Sequence, residues 1–469
     1  MTSASVEPGS FRDPDSRVFV AGDRVLRALS ERGLEDWRAL AASELWRTKR
    51  AEGKLVATEP LDGDGGVPAE LADGGWAAVL AHERVPFVSY PYEWPFGMLR
   101  DAALLELELL LAALEEDLTL KDATPYNVQW RGIRPLHVDV GSFERLRPGE
   151  PWAGYRQFCA LFLYPLLLQA HRGAPFQPWL RGSLEGIAPA DMRRLLSLRD
   201  RIRRGVLAHV VLHARLERSY GGRRSDVKGE LRSAGFHKGL IQANARRLAK
   251  LVRHLSWEPE ETAWSGYAEA SPYTEADAAA KEAFVRRAAG ARRRRLLWDL
   301  GANDGRYTRV AAEHADYALA VDADAAVVEH LYRALREEGA ETILPLVVDV
   351  ADPSPGLGWR GRERRPLEER GLPDLTLCLA LAHHVCLSGN VPVRAFLDWL
   401  ASLGGELVLE VPTREDPMVR RLLERKAPGA NPDYGTDTFE RELAARWHVS
   451  RRETLPSGTR ILYVATPPA

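Results

Sequence analysis

Apolar and polar residues change period several times along the chain, and each change predicts an element. "RVFVAG" and "DRVLRAL" are two strand-like runs around Gly22-Asp23, the layout of a tight hairpin. "EDWRALAASELWRTKRAEGK" moves to helical spacing and predicts a helix that stops near Gly53. "LVATEPL" and "AAVLAHERVPFVSY" return to strand character, and "GMLRDAALLELELLLAALEE" predicts a strong helix. A polar stretch, the strand-like "RPLHVDV" and further helices from Trp152 to about Tyr220 follow. Among the latter, "CALFLYPLLLQAHRG" holds Pro165, is bounded by Arg156 and Arg172, and is too short to span a bilayer. It predicts a buried core helix. Ile241, Ala245, Leu248, Val252 and Leu255 mark the apolar face of a later helix. Thr274, with Asp277 three residues on, is a candidate N-cap. From "ARRRRLLWDLGANDG" to the end, strand and helix patterns alternate, which argues a mostly parallel sheet covered by helices.

The chain has 469 residues, long enough for two or three domains. Its 45% hydrophobic and 28% charged residues are those of a globular protein, and a net charge of −2 gives no general affinity for polyanions. Cys159, Cys378 and Cys386 are too few and too scattered for a disulfide framework or a zinc site, so a reducing cytoplasm is expected. "MTSASVEPGSFRDPDS" lacks the apolar core of a secretory signal and is expected to be a short disordered leader. From Arg199 to His254 there are fifteen Lys/Arg against four Asp/Glu. This predicts either a basic solvated face on linking helices or a patch for an anionic partner. No aromatic-interleaved RNA-binding motif accompanies it, so nucleic acid is not the expected partner.

The richest stretch is "LLWDLGANDGRYTRVAAEHADYALAVDADAAVVEHLYRAL". A strand ends at Asp299. Gly301 and Gly305 permit a tight turn with close backbone approach, and the helix from about Gly305 offers free N–H groups. A second strand ends at Asp322, twenty-three residues after Asp299, where a carboxylate can accept both hydroxyls of a ribose. A third, "ILPLVVDV", ends at Asp349, placed for an exocyclic amine of adenine. A dinucleotide site has a similar layout, but the turn here is not G-x-G-x-x-G, and Asp299 would repel a pyrophosphate. The stretch resembles the class I S-adenosylmethionine-dependent methyltransferases from about Arg292 to Ala469. That resemblance implies that Asp299, Gly301, Asn303 and Gly305 surround the methionine part of the cofactor. It puts the ribose on Asp322 and the adenine beside Asp349 and Val350. Asn303 stands where the family's second glycine falls.

The fourth strand, "DLTLCLALAHH", ends at His383-His384. Ligands of an open α/β sheet sit beyond the carboxyl ends of its strands, so either histidine is a candidate general base, with His384 preferred. The alternative is packing and strand-end capping. Glu410, at the end of the fifth strand, is either a substrate ligand or a rim charge. "PSPGLGWRGRERRPLEERG" predicts a long loop over the site, where Trp359, Arg362 and Arg364 either clamp an anionic or sugar-like substrate or are solvated. The combined phrases resemble nodulation-type and polysaccharide-associated bacterial methyltransferases, which implies a small-molecule or glycan substrate.

"LTLKDATPYNVQWRGIRPLHVDVGSFE" carries a second chemistry. Phosphoryl transfer needs an Asp to orient the acceptor hydroxyl, and an Asn and a second Asp to hold magnesium on the phosphates. Asp122 and Asn127 stand five apart and Asp139 follows twelve later. The segment from about Arg17 to Tyr220 thus resembles the protein-kinase-like and aminoglycoside-phosphotransferase superfamily, which implies ATP and magnesium, with Asp122 catalytic and Asn127 and Asp139 on the metal. It departs from that pattern in lacking a glycine-rich phosphate loop. Arg27 stands at the strand-lysine position, with Glu44 its expected partner. An Asp/Asn-rich turn used for local hydrogen bonding is the plain alternative.

The expected architecture is therefore α/β: a leader (1–16), a kinase-like α+β domain (17–220), a basic helical linker with an aromatic connector (221–290), and a doubly wound Rossmann-like methyltransferase sheet (291–469). The expected function is O- or N-methylation. The alternatives are a bifunctional kinase-methyltransferase, or a methyltransferase whose first half only binds a substrate or carrier.

Overall fold

The computed structural model describes residues 4–61, 68, 71, 74–212, 237–259 and 273–468. The chain divides into two compact units: one of residues 1–130, 134–258 and 356–364, the other of 131–133, 259–355 and 365–469.

In the first unit, β1 (Ser5–Val6), β2 (Ser16–Ala21), β3 (Arg24–Leu29), β4 (Thr58–Pro60) and β5 (Ala78–His82) form an antiparallel sheet in the order β1-β2-β3-β5-β4. The β2–β3 hairpin turns at Gly22-Asp23 as its sequence predicts, with Gly22 at φ 60°. The leader is not disordered from residue 4 onward: Ser5 and Val6 pair with Val20 and Phe19, extending the sheet by an edge strand. The single helix expected up to Gly53 is two, α1 (Glu31–Ala41) and α2 (Glu44–Ala51). Ser43 breaks the run because its extended backbone lets its hydroxyl cap the Trp46 N–H at 3.0 Å. The carboxylate of Glu116 then accepts the free N–H groups of Glu44 and Leu45 at 2.9 and 2.6 Å.

α3 (Phe96–Glu115) is the axis of this unit, buried on nearly every side, as an all-round apolar helix must be. Short strands β6 (Leu118–Leu120), β7 (Val128–Arg131), β8 (Arg134–His137) and β9 (Phe143–Arg145) follow it. The apolar run around Pro165 is buried as predicted but not one regular helix. A π-turn over Cys159–Leu163 precedes α4 (Tyr164–Arg172), so Pro165, which lacks an N–H, falls in a first turn. α5 (Lys238–His254) buries the predicted face of Ile241, Ala245, Leu248 and Val252. It belongs to this unit rather than to a separate linker, and Lys238 and Arg246 pair with Asp117 and Glu115 around the end of α3. Residues 213–236 of the predicted basic stretch and 260–272 of the predicted aromatic connector lie outside the described residues.

The second unit opens with α6 (Glu275–Ala289), capped reciprocally by Thr274 and Asp277 as its sequence predicts. Then come β10 (Arg294–Leu300), α7 (Arg306–Ala312), β11 (Ala315–Asp322), α8 (Ala325–Glu338), β12 (Ile343–Val347), β13 (Leu375–Cys378), α9 (Val393–Ser402), β14 (Glu406–Pro412), α10 (Pro417–Leu423), α11 (Thr436–Ala444), β15 (His448–Thr454) and β16 (Arg460–Thr466). The sheet has seven strands in the order β12-β11-β10-β13-β14-β16-β15. β10 to β14 run parallel, and β16 enters antiparallel between β14 and β15. Strand order reverses beside β10, which opens a crevice at the carboxyl ends of β10 and β13. Leu297, Ala318, Ala320, Leu375, Leu377 and Val408 form the core beneath it. The doubly wound sheet is the one the alternating pattern predicts.

Candidate functional site

The carboxyl ends of β10, β11 and β12 set out a row of acids. Asp299 is buried at the end of β10 and accepts the Thr308 hydroxyl of α7 at 2.6 Å. Burial pushes its carboxyl up to about 6, against the pull of Thr308 and Lys281. The chain then turns through Gly301 and Gly305, both at φ 76°. A Cβ on Gly305 would meet Leu331 Cδ1 at 2.7 Å, so only glycine fits there without rearrangement. Asn303, also left-handed at φ 49°, donates its backbone N–H to Asp322 at 3.0 Å. Asp324 N–H takes the other oxygen of Asp322 at 3.0 Å, and Asp324 caps α8. Burial raises the Asp322 pKa while these backbone donors oppose it. A carboxylate has about four acceptor positions, so two N–H contacts orient Asp322 and leave capacity for a diol. Asp349 is exposed after β12, with Ala351 N–H on one oxygen at 2.8 Å, and Val350 is half-buried beside it. This donor and acceptor set fits a ligand that combines a cationic centre with a ribose.

On the other side of β10, β13 runs into Ala380, at φ 54°, and a π-turn begins at His384. His383 is fully buried, and neither ring nitrogen has a hydrogen-bond partner among the described residues. His384 is partly exposed, its ring 3.9 Å from that of His383. Burial keeps both neutral, His383 far below the usual imidazole range and His384 at about 4.

Glu410 is no rim charge. It is fully buried in β14, with Lys281 at 2.7 Å, the Tyr273 hydroxyl donating at 2.5 Å and Arg460 at 3.0 Å. Arg460 also binds buried Asp416 at 2.7 Å. Lys281 lies 4.4 Å from the ring centroid of Tyr307, next to the Thr308 that holds Asp299. Lys281 and Arg460 were not among the residues picked out from sequence. A signal existed for the first: Lys281 shares the helical face of Asp277, Phe284, Val285 and Ala288, a lysine on an apolar stripe. Arg460 shows only as a charge at the start of an apolar strand.

In the first unit, Asp122 lies after β6, Asn127 ends the 3-10 turn before β7, and Asp139 follows β8. Burial and the Asp139 charge push the Asp122 carboxyl up to about 6. The expected Arg27–Glu44 pair does not form: Glu44 pairs on the surface with Arg47, because α2 starts with its first side chain in solvent. Arg27 NH1 instead holds Asp139 at 2.8 Å. The Gly141 N–H takes the same oxygen at 3.2 Å, and the Asn127 amide nitrogen is buried with no partner among the described residues. Magnesium needs near-octahedral oxygen ligands at about 2.1 Å. Asp139 Oδ1 is thus committed to a guanidinium and an N–H, and the guanidinium charge opposes a divalent ion at that oxygen. Among the described residues, no three His, Cys, Asp or Glu side chains gather into a metal site.

The segment read as a long loop over the site is divided between the two units. Residues 356–364 belong to the first unit, where buried Glu363 pairs with Arg12 and Arg364 lies 4.2 Å from the ring centroid of Tyr126. Trp359 and Arg362 are exposed. No helix among the described residues is long and apolar enough to cross a membrane.

No protein-family model matches the chain. It is 33% identical over 462 residues to the nodulation protein NoeA of Rhizobium meliloti (strain 1021), a match spanning 97% of this chain and 94% of that one. Among solved structures, the N-methyltransferase NodS from Bradyrhizobium japonicum WM9 aligns with 42% of this chain and 98% of its own, at 14% identity and a TM-score of 0.32. The magnesium protoporphyrin IX methyltransferase from Synechocystis PCC 6803 with bound S-adenosylmethionine aligns with 45% and 86%, at 13% identity and a TM-score of 0.29.

Proposed function

We propose, for a chain that belongs to the family of the nodulation protein NoeA, that the second unit transfers a methyl group from S-adenosylmethionine to an oxygen or nitrogen of a small-molecule or glycan acceptor. One observation carries this reading. At the switch point of the sheet, two glycines at φ 76° and the Asn303 N–H bonded to Asp322 build a cradle with acids on both sides. In this reading Asp322 holds the ribose hydroxyls and Asp349 and Val350 flank the adenine. Asp299, Gly301, Asn303 and Gly305 surround the methionine part, with Asp299 facing its ammonium. The bound cofactor supplies an electrophilic methyl group. The chain's own work is then to position the acceptor and exclude water, which together supply most of the rate.

His384 and His383, neutral beside the crevice, are the groups to take a proton when the acceptor is a hydroxyl. The reading in which the first unit binds a substrate or carrier without catalysis is preferred over a bifunctional one, because Arg27 occupies Asp139. Calorimetric titration of the intact chain with S-adenosylmethionine tests the proposal. Saturable binding that Asp322→Ala abolishes is expected, and no binding by the wild-type chain would refute it.

A further inference from the structure

The arrangement around Arg27 in the first unit carries an inference independent of methyl transfer. Three strands and the loop after β8 have built a holder for one guanidinium. Arg27, on β3, donates from Nε to His82 Nε2 of β5 at 3.2 Å and from NH1 to Ser16 Oγ of β2 at 3.0 Å. The same NH1 makes the 2.8 Å ion pair with Asp139. His82 is set up to accept: its Nδ1 lies 2.8 Å from Thr58 Oγ1, whose own proton goes to the Val56 carbonyl, so Nδ1 carries hydrogen and Nε2 is bare. Gly141 completes the fit, since a Cβ there would lie 3.2 Å from Arg27 NH1. The Arg27 side chain is 9% exposed, so its charge is compensated inside the protein rather than by water.

Arg27 is tied down from several sides and spends its charge on the carboxylate that the sequence suggested as a metal ligand. A divalent ion at the same oxygen would stand within a few ångströms of the guanidinium and be repelled by it. We propose that Arg27 is a permanent internal cation that takes the place of a divalent metal on Asp139, so that the first unit binds its ligand without metal and metal-assisted phosphoryl transfer is not its chemistry.

The test uses the full-length chain as wild type, Arg27→Ala, Arg27→Met, Asp139→Asn and the double variant Arg27→Ala/Asp139→Asn. Thermal unfolding is followed while MgCl2 or MnCl2 is titrated, alone and with ATP, against an EDTA control. The wild-type midpoint is expected to be the same in metal and in EDTA. Arg27→Ala is expected to unfold at lower temperature in EDTA and to regain part of the loss saturably with magnesium, and the double variant to regain nothing. A saturable metal-dependent rise in the wild type that Asp139→Asn removes overturns the proposal. So does an Arg27→Ala or Arg27→Met chain with wild-type circular dichroism that gains nothing from metal. If neither Arg27 variant folds, calorimetry on the wild type decides: equal ATP affinity in magnesium and in EDTA upholds the proposal, and tighter magnesium-dependent binding overturns it.

Discussion

Two carboxylates, one in each unit, follow strand ends in similar sequence settings and are held in opposite ways. Among the described residues, Asp322 accepts backbone N–H groups, including those of Asn303 and Asp324 at 3.0 Å each. Asp139 accepts a guanidinium at 2.8 Å. A carboxylate oriented by neutral donors keeps its charge for a ligand, whereas one paired with a buried cation has spent it. The two acids differ in whether the fold sets a buried cation against them. Position in the motif does not decide this.

Replacing Asp322 is expected to break the contrast most severely. Asp322→Ala removes a charged acceptor that two ribose hydroxyls would share, and hydrogen bonds to charged groups contribute about 1.5–3 kcal/mol each. Affinity for S-adenosylhomocysteine by calorimetry is expected to fall by about a hundredfold or more. Asp139→Asn should leave that affinity unchanged. Next comes the buried ion network of the second unit. Glu410→Ala strands Lys281 and Arg460 without their shared partner, and breaking a buried pair from one side costs about 3–5 kcal/mol. Chemical denaturation should show that loss, and Glu410→Gln, which keeps the shape, a smaller one.

Such a network shows where sequence reasoning stops. The hairpin at Gly22-Asp23, the Thr274 cap and the order of strands in the second unit were legible, because each is written in residues close along the chain. The acids at the ends of β10 and β11 were legible as well, since a strand pattern fixes where its last residue falls. The partners of those residues were not. Arg27 meets Asp139 across 112 positions, and Glu410 meets Lys281 across 129 and Arg460 across 50, so only the tertiary fold brings them together. The same holds for residues 356–364, whose glycines and arginines announced a loop but not the unit it joins. The edge strand Ser5–Val6 was hidden by its shortness, and the helix break at Ser43 by the strong helical spacing around it.

Smaller effects sharpen the comparison. Gly305→Ala puts a side chain at φ 76° and a Cβ at 2.7 Å from Leu331, where left-handed strain and crowding cost about 1–3 kcal/mol. Both stability and S-adenosylhomocysteine affinity should fall, whereas Gly53→Ala, with open space around the Cβ position, should cost only the backbone strain. Acidity offers the mildest probe. The Asp299 carboxyl is pushed up to about 6 by burial, so it is protonated below that pH and ionised above it. A ligand ammonium favours the ionised form, so S-adenosylhomocysteine affinity should rise with pH through this range and level off above it. Below it, the loss approaches about tenfold per pH unit. Asp299→Asn should flatten the profile.

The most direct test of the contrast is one ligand-shift experiment on the intact wild-type chain, comparing S-adenosylhomocysteine with ATP in magnesium and ATP in EDTA. Saturating ligand at a hundred times its dissociation constant stabilises the bound form by about 2.7 kcal/mol. The prediction is a clear upward shift of the unfolding midpoint with S-adenosylhomocysteine and no difference between the two ATP conditions. No shift with S-adenosylhomocysteine, together with a magnesium-dependent shift with ATP, would contradict the account and place the chemistry in the other unit.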